Sequence, residues 1–180
     1  MKTIKFFLIV PFLFISGKWS SPLVSEPESS FILSEYETLV YYNRFDSAVS
    51  IIKQYEGWHT ARHFPYVGYG HKLQKGETFN HTISKPFADS LLRQDLLQKC
   101  AAFRSFGKDS LLLGVLAYNV GEYRLLGTRT IKKSNLITKL EAGNRDIEAE
   151  YISYRKYKGN VVPSLERRRR HEYSALYEHP

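Results

Sequence analysis

Apolar residues fall at helical spacing over most of the chain. Val49, Ile52 and Tyr55 share one face of a helix that the pattern starts at Asp46 or Ser47 and ends near Glu56-Gly57. Before it, Ser34-Glu35-Tyr36-Glu37 has capping-box spacing and predicts a separate helix start. Phe87, Leu91, Leu92, Leu96, Cys100 and Phe103 form a stripe that predicts a helix from Ser84-Lys85-Pro86 to about Ser105, with Gly107 beyond it. Leu111 to Ala117 are apolar nearly all round, which places a helix capped by Asp109 in the middle of a core. Further helices are predicted over about 134–142, 145–158 and 164–177. Gly143 and Gly159 follow the first two, and Pro163 precedes the third.

Residues 58–83 break this period. Trp58, His59, His63, Phe64, Tyr66, Tyr69 and His71 crowd together with Gly68 and Gly70, which predicts a small β-hairpin over about 64–73 and a loop to about 83. The expected fold class is α+β, mostly α, with a helical lobe and a small hairpin lobe.

Composition then limits the function classes. The chain has 180 residues, room for one ordinary domain. Its single cysteine, Cys100, excludes an intramolecular disulfide framework and a multi-cysteine zinc site. Lys2 and Lys5, the apolar run from Phe6 to Ile15 and the small-residue exit around Ser16 to Ser21 predict a secretory signal over residues 1–20. The run is too short for a membrane span and contains Pro11. Residues 21–45 then form a linker and N-terminal helix, and residues 46–180 the domain. Signal removal takes away Lys2, Lys5 and Lys18 and lowers the net charge from +8 to +5. A basic exported protein suits a polyanionic partner.

The segment that carries chemistry is Tyr55-Glu56-Gly57, followed by Gly68-Tyr69-Gly70-His71. A glutamate ending a helix beside a hairpin lies at a lobe boundary, where clefts form. Partly buried against Trp58 or Tyr66, such a carboxyl can donate a proton to a leaving oxygen. Two further stretches complete the pattern: Leu116-Ala117-Tyr118-Asn119-Val120-Gly121, and Leu165-Glu166-Arg167-Arg168-Arg169 with Glu172 after a proline turn. Leu92-Arg93-Gln94-Asp95-Leu96 and Lys139-Leu140-Glu141-Ala142-Gly143 add weaker matches.

In order and spacing these stretches, over about residues 47–177, resemble the phage-type lysozymes, the endolysins of glycoside hydrolase family 24. The resemblance implies a lysozyme-like fold over 46–180. It implies Glu56 as general acid, Arg167 as the arginine paired with it across the cleft, and Asn119 as a cleft-facing polar side chain. His71 and Asp95 take the places of a structural His–carboxylate pair. The family places a second functional carboxylate between the glutamate and the hairpin. Here the interval Trp58 to Val67 is shorter and contains no Asp, Glu or Cys, and Tyr66 stands at the family's threonine. His63 or His59 could serve as base instead, and Tyr66 or Tyr69 could orient water. Trp58 and Tyr69 would line sugar subsites.

Other signals are weaker. The spacing of His59, His63 and His71 matches no zinc signature, and Gly68-Tyr69-Gly70 lacks the features of a nucleotide loop. No metal or cofactor is expected. Arg167 to Arg170 point to different sides of a helix and form no single basic stripe. The expected partner is peptidoglycan, without nucleic acid and without stable membrane insertion after signal removal, for a monomeric muramidase exported to the periplasm or beyond. Two alternatives stay open: a wall-binding protein on the same fold without turnover, and a basic nucleic-acid-binding helical protein.

Overall fold

The computed structural model describes residues 35–179. The signal, the linker and the Ser34 cap therefore lie outside the described residues. Among the described residues, seven α-helices and two antiparallel hairpins make a mostly helical α+β fold.

Helix α1 (Glu35–Glu56) is one helix of 22 residues, where the pattern had suggested a break near Asp46. Nothing in Arg44-Phe45-Asp46-Ser47 stops a helix. The Ser47 hydroxyl donates back to the Asn43 carbonyl at 2.9 Å, as a serine inside a helix does, and does not cap a new one. Phe45, Ala48, Val49, Ile51 and Ile52 bury its inner face.

The hairpin pairs β1 (Tyr66–Val67) with β2 (His71–Lys72), within the predicted range. Helix α2 (Lys85–Ala101) starts as expected: Ser84 Oγ accepts from the Phe87 N–H and Pro86 occupies the first turn. It ends four residues early, and Phe87 stays exposed at the start of the predicted stripe. Helix α3 (Ser110–Val120) is the buried centre, with every residue from Leu111 to Ala117 inside. It packs against α1, α2 and, from the far end of the chain, α7 (Pro163–Leu176). A Cβ at Gly114 would stand 2.5 Å from Cys100 Sγ, so this glycine is what lets α3 lie close on α2. Burial pushes the Cys100 thiol up to about 12, which leaves it an inert packing group.

Asp109 does not cap α3. Its carboxylate is taken by Arg145 in a two-pronged pair at 2.6 and 2.8 Å, and Arg145 also donates to the Glu178 carbonyl. Three short helices, α4 (Glu122–Leu126), α5 (Asn135–Glu141) and α6 (Glu148–Ile152), wrap the other side.

The helix expected over 145–158 is a correction. α6 stops at Ile152, and a second hairpin follows, β3 (Lys156–Tyr157) with β4 (Asn160–Val161). Lys158 and Gly159 both have positive φ, 48° and 84°, the conformation of a two-residue hairpin turn whose twist suits antiparallel strands. Gly159 is a turn residue rather than a helix stop.

Candidate active site

Glu56 is the last residue of α1. Gly57, at φ 67°, turns the chain out of the helix with a conformation that side chains disfavour. The chain then folds back so that the His59 N–H donates to the Gly68 carbonyl at 2.8 Å. Gly68 packs on α2 so tightly that a Cβ would lie 2.7 Å from Ala88 Cβ. The hairpin is thereby fixed between the glutamate and α2.

Two other helices reach Glu56. Arg168 Nη1 of α7 donates to Glu56 Oε1 at 2.6 Å, and Asn119 Nδ2 of α3 donates to the same oxygen at 3.3 Å. Among the described residues Oε2 accepts no bond from the protein. Behind this contact lies a buried ionic cluster. Glu172 accepts from Arg168 Nε at 2.7 Å, from Arg169 Nη1 at 2.5 Å and from the Tyr151 hydroxyl at 3.0 Å. Arg169 Nη2 also donates to Asn119 Oδ1 at 2.5 Å. Burial opposes the charge on Arg168 more than any other influence, yet Glu172 and Glu56 together hold its pKa above the ordinary value.

The arginine at Glu56 is thus Arg168 and not Arg167, which is exposed. The inner face of α7 is Arg168, Arg169, Glu172, Tyr173 and Leu176. Stepping back four from Tyr173 reaches Arg169, and stepping back four from Glu172 reaches Arg168. Arg167 falls off that stripe, so the signal was in the sequence.

The aromatic residues gather around the hairpin. Trp58 meets Tyr69 edge to face at 5.3 Å, and the Tyr118 hydroxyl donates to the Tyr69 carbonyl at 3.1 Å. Lys53 Nζ stands 5.2 Å over the Tyr69 ring. His59 packs against His63 at 4.8 Å and lies 6.1 Å from the exposed ring of Tyr66. The Thr60 N–H donates to His63 Nδ1 at 2.9 Å. A groove of about 420 Å³ runs along the hairpin, bounded by Tyr66, Gly70, His71, Asp95 and Tyr118 among others; Glu56 is not on its lining. Among the described residues no group of three or more His, Cys, Asp or Glu is placed to hold a metal ion.

His71 and Asp95 do meet, Nδ1 to Oδ2 at 2.8 Å, joining β2 to α2. The sequence did not show the third member: Glu77 holds Nε2 at 2.9 Å. Burial works against a charged His71, but its hydrogen bonds to Glu77 and Asp95 raise its pKa above the ordinary 6.5. For Asp95 burial is the largest influence and raises its pKa, with His71 pulling the other way. The backbone N–H of Gln74, then His71, lower that of Glu77.

A raised imidazole contributes stability that is complete below 6.5 and is lost as pH rises through the folded-state value. The raised Asp95 and the lowered Glu77 act in the carboxylate range, so above neutrality His71 alone among the three sets the slope. Urea midpoints should therefore fall in the wild type as pH rises above 6.5. His71→Gln should show no such fall from this group, and should be about 1–3 kcal/mol less stable at pH 6.

A family model described as phage lysozyme matches residues 53–172, which run from the last turn of α1 to Glu172 in α7. No curated protein matches the chain.

Proposed function

The chain belongs to the phage lysozyme family, whose activity is peptidoglycan hydrolysis, and from that premise we propose that it is an exported muramidase. It cleaves the glycosidic bond between N-acetylmuramic acid and N-acetylglucosamine, with Glu56 as general acid. The observation that carries this reading is the convergence of α1, α3 and α7 on one carboxyl oxygen, Glu56 Oε1, held by Arg168 and Asn119. Anchored through that oxygen, the carboxyl can hold its proton on Oε2 and give it to the leaving oxygen as the C1–O bond breaks. Trp58 and Tyr69 offer flat faces for sugar rings beside it, and the positive net charge suits an anionic wall.

Export is supported by Lys2, Lys5 and the apolar run from Phe6 to Ile15. Among the described residues no helix is long and apolar enough to cross a membrane.

The test is the chemistry of the ends that the protein creates. Purified peptidoglycan digested with the wild-type protein should yield soluble fragments with new reducing ends at muramic acid, read by borohydride reduction and mass spectrometry. Reducing ends at glucosamine would assign the other glycosidic bond. Sedimentation with the wall and no new ends would leave a binding module.

A further inference from the structure

Asn119 sits in the last turn of α3 and is exposed, so packing alone does not fix which way its amide is turned. The two ends of an amide differ: the oxygen accepts and the NH2 donates. Which end meets Glu56 decides what Asn119 does there. With the NH2 toward Glu56, the amide donates to Oε1 beside Arg168, and Oε2 is left as the oxygen that carries the proton. Turned over, the amide would present an acceptor to Glu56. A protonated carboxyl would then place its proton on Oε1 and give it to Asn119, away from a leaving group.

The contact with Glu56 does not choose between these two states, because a carboxyl donates when protonated and accepts when ionised. The choice is made at the other end of the amide. Arg169 Nη2 donates to Asn119 Oδ1 at 2.5 Å. A guanidinium has donors only and stays charged, so it can bind only the oxygen end. Arg169 is itself fully buried, and its Nη1 is held on Glu172 Oε2 at 2.5 Å. Bonds to two partners fix the plane of this group, and the plane fixes the amide.

We propose that Arg169 is a positioning residue for the acid: it sets the polarity of the Asn119 amide and so keeps the Glu56 proton on Oε2. The proposal rests on the glycosidase reading above. In the step, the Oε2–H bond breaks, and the leaving oxygen takes that proton as it takes the electron pair of its broken bond to C1. Water supplies the hydroxyl at C1 and the proton that restores Glu56. The charge left on Glu56 is met by donors already in place on Oε1, Arg168 and Asn119. Glu172 binds both arginines, whereas Arg169 reaches the acid through Asn119.

The experiment compares Arg169→Met, Asn119→Ala and the double variant with the wild type. Each is assayed on peptidoglycan and on a chitooligosaccharide with a nitrophenol leaving group. On peptidoglycan Arg169→Met should lose about 10-fold in kcat, the worth of one charge-assisted hydrogen bond, with KM little changed. On the nitrophenyl substrate the loss should shrink to about 2-fold, because that leaving group needs no proton. A residue that merely holds the fold together would slow both substrates alike. In the Asn119→Ala background, Arg169→Met should cost nothing further in kcat. Asn119→Asp changes only an exposed side chain, so it serves even if Arg169→Met does not fold. It keeps an oxygen for Arg169 and has no N–H for Glu56, and it should lose at least as much kcat as Arg169→Met. An equal deficit on both substrates, a full further loss in the Asn119→Ala background, or wild-type turnover by Asn119→Asp would overturn the assignment. A wild type that makes no new reducing ends from the wall defeats the glycosidase reading itself, and is distinct from each of these results.

Discussion

Glu56→Gln should lose about 1,000-fold or more in kcat on peptidoglycan, the middle of the range for a positioned acid. The variant should bind the wall as the wild type does. The amide oxygen can still accept from Arg168 and Asn119, so the side chain stays in place and only the transferable proton is gone. Stability should change by no more than about 1 kcal/mol, because Arg168 keeps Glu172 as its second partner. A general acid matters in proportion to how badly the leaving group needs a proton. On a chitooligosaccharide with a nitrophenol leaving group, the deficit should shrink to about 10-fold, since nitrophenolate departs unaided. A deficit equal on both substrates would mean that Glu56 acts by charge or by shape, and would remove it from the acid role.

The features that made Glu56 visible are local ones: the end of a periodic helix, a glycine, and a cluster of aromatics. Asn119 and the His71–Asp95 pair were legible only through the family resemblance, from the order of the motifs that hold them. The errors arose where local pattern leaves a choice. Four arginines in a row lie about 100° apart around a helix. Only the buried anchors Tyr173 and Leu176 decide which of them turn inward. Lys158-Gly159 reads equally as a helix end and as a hairpin turn. Choosing between them requires the β-prone Val161-Val162 beyond it to outweigh the helical spacing before it. Glu77 was invisible because it reaches His71 from a loop with no period at all. That His63 Nδ1 receives the Thr60 N–H depends on a short turn which no composition or spacing reveals.

Glu172 should prove the most costly single site in the described fold. Its carboxylate is fully buried, as is Arg169, and Arg168 is nearly so. Two guanidinium groups share this one anion, and Tyr151 gives it a third hydrogen bond. Each arginine has another acceptor, Glu56 for Arg168 and Asn119 for Arg169, but only the first of these is an anion. Removing the negative charge leaves two buried cations facing one another. Breaking a buried ionic contact from one side costs about 3–5 kcal/mol, so Glu172→Gln should lose that much. At roughly 2–4 °C per kcal/mol for a domain of this size, the melting temperature should drop by about 6–20 °C. Arg169→Met should cost distinctly less, because Glu172 keeps the Arg168 guanidinium and the Tyr151 hydroxyl as donors, whereas Glu172→Gln weakens the acceptor that both arginines share. That asymmetry is the sharper test, measured by urea unfolding of both variants. A Glu172→Gln penalty below about 1 kcal/mol, or equal penalties for the two, would show that the cluster is solvated rather than buried. Activity should follow the same order. Asn119 and Arg168, which hold Glu56, both take their positions from this cluster, so its loss should lower kcat even at temperatures where the variant is still folded.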